Sequence, residues 1–158
     1  MEIKTERCTV RRFEEKDLDD FMQYRNDENW MRYQGFKGLT KQMYAKELLS
    51  EPSFLKGVQL AIINNTTNRL IGDVYLKREN YTFWIGYTIS PFHAKQGYAY
   101  EVLVKIIAWL KQKGCININA GVSSENLASI NLLKKLKFTY LSTDDNGELI
   151  YSLDLQKI

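Results

Sequence analysis

Ile89-Ser90-Pro91-Phe92-His93-Ala94-Lys95-Gln96-Gly97-Tyr98-Ala99-Tyr100-Glu101 decides how the chain folds. Tyr81 to Ser90, before and into it, has the aromatic and β-branched composition of a buried strand. Pro91 stops the strand ladder, a tight turn follows, and a helix begins near Gly97. The first N–H groups of a helix have no intrahelical partner, and its dipole favours an anion in front of them. Gly97 lets a phosphate approach the backbone, and Ala99 keeps the first turn narrow. No Gly-Lys-Ser/Thr follows, so this is not a Walker loop, and the glycines of a dinucleotide fingerprint are missing. The plain alternative is an ordinary strand-to-helix turn.

Downstream, Gly97 to Lys113 carries Val102, Leu103, Ile106, Ile107, Trp109 and Leu110 on one broad face, the pattern of an amphipathic helix stopped by Gly114. Ile116 to Val122 reads as a strand. Ser123 or Ser124 is the expected cap of a helix to about Leu136. Strands over Phe138 to Thr143 and Glu148 to Leu153 flank the Asp145-Asn146-Gly147 turn.

Upstream, Cys8 to Phe13 alternates like a strand, and Glu14 to Asn26 has helical spacing. Thr40 is the expected N-cap of a second helix, through Leu49. Val58 to Ile63 and Leu70 to Leu76 read as strands around the Asn64 to Asn68 turn. The order is β-α-α-β-β-β-α-β-α-β-β. The Tyr81 to Val122 strand-helix-strand unit implies a parallel pair in a mainly antiparallel sheet, with helices covering its faces. No linker or repeat divides residues 1–158, so a single domain is expected.

Composition narrows the function. The 158 residues carry a formal net charge of +3, too little for a nucleic-acid footprint. No apolar run could span a bilayer and no apolar signal core is visible, so a cytoplasmic protein is expected. Cys8 and Cys115, both in strand-like segments, make no disulfide framework, and with His93 as the sole histidine no metal site is expected.

Gly86 interrupts the aromatic strand at Trp84-Ile85-Gly86-Tyr87. Such a glycine suggests a bulge, a close backbone approach, or room for a bulky neighbour. A bulge would splay the parallel strands and free strand N–H and C=O groups for an extended, amide-bearing ligand such as pantetheine, its pyrophosphate on the Gly97 turn.

The segment resembles motif A of the GCN5-related N-acetyltransferases (the GNAT family), Q/R-x-x-G-x-G/A. The match is Ala94-Lys95-Gln96-Gly97-Tyr98-Ala99, with Ala94 in the leading Gln/Arg position. Asn126-Leu127-Ala128-Ser129, with Leu133, Lys135, Leu136, Lys137 and Phe138, is similar to the family's N-x-x-S…K-x-G-F segment, Lys137 replacing the glycine. Thr5-Glu6-Arg7, Val10-Arg11-Arg12-Phe13 and Tyr24-Arg25-Asn26 resemble the opening of the RimJ/RimL branch, which acetylates protein N-termini and assorted small amines. The resemblance spans nearly the whole chain. It implies the α+β, three-layer GNAT fold: a mixed, mainly antiparallel sheet of about seven strands with a splayed central parallel pair and helices on both faces.

It also implies acetyl-CoA as co-substrate, held by Tyr87, Thr88, Ile89, Lys95, Gln96, Gly97, Tyr98, Ala99, Tyr100, Asn126 and Ser129, without a metal. The acetyl group would pass directly to a primary amine, a protein N-terminal α-amine or a small molecule, in a ternary complex. A backbone N–H near Tyr87 to Ile89 would stabilise the oxyanion. The family's usual thiolate acid is a Tyr seven residues after the Asn, where Leu133 stands, and the branch's serine maps to Ser129. Self-bonding to its own helix is the alternative for Ser129, and first-turn capping for Asn126.

No base is assigned. Trp84 replaces the Glu of many relatives, and Asp27, Glu28, Asp73 and His93 are candidates by chemistry alone, His93 read first as a surface residue. An α-amine titrates near ~7.8 and lysine near ~10.4, so at neutral pH the α-amine is uncharged roughly 300–400 times more often. The missing base therefore favours an α-amine or weakly basic acceptor. Trp30, Tyr33, Phe36, Tyr75 and Trp84 are candidate acceptor-pocket walls, with core packing as the alternative. Without an acidic pair, polycationic acceptors are disfavoured. The competing class is a non-catalytic acyl-CoA-binding or sensor module on the same fold. Oligomeric state, including a homodimer, is left open.

Overall fold

A computed structural model describes residues 1–157. In chain order the elements are β1 (Glu2–Lys4), β2 (Cys8–Arg12), α1 (Leu18–Arg25), α2 (Lys41–Leu48), β3 (Val58–Asn64), β4 (Arg69–Glu79), β5 (Thr82–Ile89), α3 (Tyr98–Gln112), β6 (Asn117–Val122), α4 (Leu127–Lys135), β7 (Thr139–Thr143) and β8 (Leu149–Asp154). Short 3-10 turns lie at Glu15–Asp17, Pro91–His93 and Leu155–Lys157. The strands form one eight-stranded sheet in the order β1-β2-β3-β4-β5-β6-β8-β7. The strand beyond the expected seven is β1, three residues in which only Ile3 is buried, too short for periodicity to mark. All pairs are antiparallel except β5–β6.

Helices cover both faces, so central strands bury both sets of side chains. Along β3, Leu60 and Ile62 enter the core with Val102, Leu103, Ile106 and Leu110 of α3, whereas Ala61 and Ile63 enter the core with Phe21 and Tyr24 of α1 and Tyr44 and Leu48 of α2. This period-two division makes β3 read as one apolar run. Ile130 and Leu133 of α4 join the α3-side core.

The Thr40 hydroxyl caps α2 by accepting from the Met43 N–H, as expected. The cap of α4 is not Ser123 or Ser124 but Asn126, whose Oδ1 accepts from the Ser129 N–H at 3.3 Å. The α4 C-terminus closes through Lys137 at φ 74, with Phe138 N–H donating to the Leu133 carbonyl. That left-handed geometry is why glycine suits the position. Cys115 lies in the turn before β6 rather than in a strand; it and Cys8 are free and buried.

Candidate active site

The parallel pair splays, although not through a bulge at Gly86. The β4–β5 register runs unbroken from Gly72↔Ile89 to Glu79↔Thr82, with Tyr75 opposite Gly86. The irregularity sits one strand away, at Ile62/Ile63, where Ile71 of β4 is the extra residue. Between β5 and β6 the pairing covers only Thr82↔Asn117, Phe83↔Ile118 and Trp84↔Asn119, and beyond Trp84 the strands diverge. A Cβ on Gly86 would meet only Tyr75 Cβ, at 3.6 Å, so packing does not demand this glycine. Gly72 is the crowded one: its Cβ would lie 2.4 Å from the Thr88 carbonyl oxygen.

The divergence exposes one edge of β5. The Ser90 N–H donates to the Ile71 carbonyl, so even-numbered residues address β4. By strand alternation Tyr87 and Ile89 turn their N–H and C=O groups toward the gap. Two side chains from the α1–α2 connection reach those carbonyls: Trp30 Nε1 donates to Ile89 O at 2.9 Å, and Gln34 Nε2 to Tyr87 O at 3.4 Å.

The turn after β5 ends with Lys95 at φ 60 and Gly97 at φ 82 as the N-cap of α3. Left-handed residues of this kind point successive N–H groups into a common concavity suited to an anion. A Cβ on Gly97 would meet nothing closer than Arg7 Nη2 at 3.6 Å, so the glycine answers a conformational need rather than crowding. Arg7 braces the turn from behind. It donates to the Gln96 carbonyl at 3.0 Å, pairs with Glu101 at 2.7 Å, and lies 4.1 Å over the Tyr98 ring. Burial works to raise the Glu101 pKa, but hydrogen bonds from Thr5 and Arg7 outweigh it and hold the carboxyl below its usual value.

Tyr87, Thr88, Ile89, Lys95, Gly97, Tyr98, Ala99, Tyr100, Asn126 and Ser129 border one cleft of about 470 Å³. Of the expected cofactor residues, Gln96 alone does not line it; within the turn its carbonyl accepts from Arg7. Arg32, His93 and Lys135 also line the cleft, residues the sequence reading did not assign to it. With Lys95 they bring three permanent cations and, among the described residues, no carboxylate, a balance suited to an anionic ligand. Lys135 lies 4.2 Å over the Tyr100 ring. Its position two residues before the K-x-G-F glycine site gave no hint that it faces α3. His93 is half-buried rather than a surface residue: its ring packs on Tyr98, and Nδ1 is buried without a partner.

Tyr87 Oη lies 2.7 Å from Ser129 Oγ. Burial pushes the Tyr87 phenol up to about 12, against the lowering effect of the Ser129 hydrogen bond, so it stays protonated at neutral pH. Ser129 thus bonds a partner across the cleft, and Asn126 does cap the first turn, the plainer of its two expected roles.

Tyr87 and Gln34 also line a second cleft of about 440 Å³, bordered by Arg25, Phe36, Glu47, Gln59, Tyr75 and Gly86. The two clefts therefore meet at Tyr87. Phe36 and Tyr75 fall on this second cleft as expected, Trp30 and Tyr33 line the first, and Trp84 lines neither. Asp73 is fully buried and committed. It accepts from Arg25 Nη2 at 2.5 Å, from Gln59 Nε2 at 2.6 Å and from the Tyr24 hydroxyl. Burial opposes the Arg25 charge and Asp73 more than restores it, keeping the guanidinium above its ordinary value. A carboxylate so engaged is unsuited to accept a substrate proton. Asp27 caps Trp30 through Oδ1, and neither Asp27 nor Glu28 borders a cleft. Glu47, which sequence reasoning missed, is the carboxylate on the second cleft.

The sequence profile of the acetyltransferase (GNAT) domain matches residues 7–139. The chain belongs to the GNAT acetyltransferase family. This GNAT protein is 30% identical over 144 residues to an uncharacterized N-acetyltransferase p20 of Bacillus licheniformis, covering 86% of this chain and 81% of that one. A crystal structure of a GNAT-family acetyltransferase from Bacillus anthracis superposes with a TM-score of 0.85 at 22% identity, covering 99% of each chain. RimL, a ribosomal L7/L12 alpha-N-protein acetyltransferase solved with coenzyme A, superposes with a TM-score of 0.84 at 14% identity, covering 98% of each. These GNAT neighbours share its fold, and the family membership makes the chain an N-acetyltransferase. No helix among the described residues is long and apolar enough to cross a membrane.

Proposed function

We propose that this cytoplasmic, single-domain enzyme of RimJ/RimL type moves the acetyl group of acetyl-CoA to an α-amine or a weakly basic small amine by direct attack in a ternary complex. The observation that carries the reading is the meeting of the two clefts at Tyr87. One is lined by cations and ends on the Gly97 turn; the other is lined by Glu47, Gln59 and Tyr75 together with Arg25 and Lys56.

The residues present fit the co-substrate. The left-handed turn at Lys95 and Gly97, with Tyr98, Ala99 and Tyr100, would hold the pyrophosphate, and Arg32 and Lys135 would add charge. The gap-facing edge of Tyr87 to Ile89, with Asn126 and Ser129, would hold the pantetheine arm. Acetyl-CoA supplies the acetyl group as an activated thioester. The Tyr87 and Ile89 N–H groups are the oxyanion donors, facing the gap. Ser129, bonded to Tyr87, is the proton donor to the departing thiolate. Among the described residues no carboxylate borders both clefts, which favours acceptors that lose their proton to water.

Release of free thiol from acetyl-CoA, followed across a library of amines and peptides, tests the reading. Turnover with an α-amine or weakly basic amine is expected. Tight CoA binding without turnover on any acceptor would instead mark a non-catalytic acyl-CoA-binding module.

A further inference from the structure

The edge of β5 that the splay exposes is already in use. Its two gap-facing carbonyls, Tyr87 O and Ile89 O, accept from Gln34 and Trp30, both carried by the connection between α1 and α2. That connection is pinned independently of the gap. Arg25 Nη1 donates to the carbonyls of Gly35 and Phe36, Asn26 bonds Leu39 O and the Gly38 N–H, and Lys37 Nζ donates to Met31 O. Met31 is fully buried in its middle. Trp30, by contrast, is 36% exposed, and Gln34 is half-buried. The backbone of the connection is therefore fixed, while these two side chains can swing.

We infer that Trp30 and Gln34 are positioning residues that stand in for the amides of acetyl-CoA along β5 and must give way when it binds. The inference rests on the proposed reading of the cleft as the acetyl-CoA site. An extended amide-bearing ligand laid along a strand edge needs that edge's acceptors. Each carbonyl held by a side chain must exchange one donor for another, so the ligand gains less than it would from an edge bonded only to water. A net neutral hydrogen bond is worth about 1 kcal/mol, which sets the handicap at roughly fivefold per side chain. In return the side chains keep two strand carbonyls bonded in the free protein, where unpaired ones would be costly.

The sign of the effect separates this role from simple lining. Residues that only wall the cofactor weaken binding when changed; residues that occupy its place strengthen it. Trp30→Phe keeps an aromatic ring, smaller than the indole, and removes the N–H donor, and Gln34→Leu keeps most of the bulk and removes the amide. Calorimetric titration with CoA is expected to show roughly fivefold tighter binding for each variant than for the wild type. The wild-type emission missing from Trp30→Phe, which isolates Trp30, is expected to shift to longer wavelength on saturation with CoA as the indole leaves Ile89. Unchanged or weaker CoA affinity in both variants, or a Trp30 emission that CoA does not move, would overturn the inference while leaving the acetyl-CoA site standing. A wild-type protein that binds no CoA would overturn the underlying reading and this inference with it.

Discussion

The Tyr87 hydroxyl and Ser129 Oγ lie 2.7 Å apart across the cleft between β5 and α4. Ser129 comes from the first turn of α4, which Asn126 fixes by bonding the Ser129 N–H. The phenol comes from the strand edge that the splay leaves free. If Ser129 delivers a proton to the thiolate, Tyr87 orients it. Ser129→Ala is expected to lower kcat about 100-fold, the lower end of what positioned proton transfer contributes. Tyr87→Phe should lower kcat less and leave the acetyl-CoA KM nearly unchanged. Steady-state kinetics with both substrates varied checks this; a Ser129→Ala enzyme with wild-type kcat would remove the serine from the chemistry.

Tyr87 also sets a pH expectation. With its phenol pushed up to about 12, no loss of activity from its ionisation should occur between pH 6 and 9. Because the folded pKa is raised, the stability linked to it is complete below pH ~10, the unfolded value, and fades as pH rises toward the folded one. The melting temperature of the wild type relative to Tyr87→Phe should therefore fall as pH rises from 8 to 12.

Gly97 is required for its left-handed φ of 82, not for space. Gly97→Ala costs about 1–2 kcal/mol in that conformation, or relief by moving the turn. The expected result is a 5–30-fold rise, roughly, in the KM for acetyl-CoA, with a smaller change in kcat. An unchanged KM would detach the turn from the pyrophosphate.

Lys137 holds φ 74 at the end of α4, where a side chain is strained. Lys137→Gly should stabilise the protein by about 0.5–1 kcal/mol, a Tm rise of about 1–4 °C, partly offset by the entropy of the unfolded glycine. A calorimetric scan decides it.

Arg25 and Asp73 are 4% and 0% exposed and pair at 2.5 Å beneath the second cleft. Removing either alone leaves a buried charge, so Asp73→Leu or Arg25→Leu should cost about 3–5 kcal/mol, while the double variant recovers part of the loss. Denaturant unfolding of the three variants measures the coupling.

Much of this was legible from local pattern. The order of elements, the α2 cap at Thr40 and the Gly97 turn follow from periodicity and punctuation. β1 was not, because three residues carry too little pattern. The splay was foreseen but for the wrong cause. Gly86 suggested a bulge, whereas the extra residue is Ile71, in the neighbouring strand, beside Gly72, a strand glycine that carries the same signal. Ser123 or Ser124 is the cap the sequence suggests, with capping as an alternative role for Asn126, and the backbone turn decides for Asn126. Gln34, Arg32, Lys135 and Glu47 reach the clefts through tertiary contacts that spacing along the chain cannot encode.

The choice of acceptor shows whether the enzyme leaves deprotonation of the amine to water. Two peptides of the same composition, one offering only a free N-terminal amine and the other only a lysine amine, can be compared by thiol release from pH 6 to 9. Faster turnover of the α-amine peptide is expected, with kcat/KM rising about tenfold per pH unit and levelling near ~7.8. Faster acetylation of the lysine peptide across that range would contradict it.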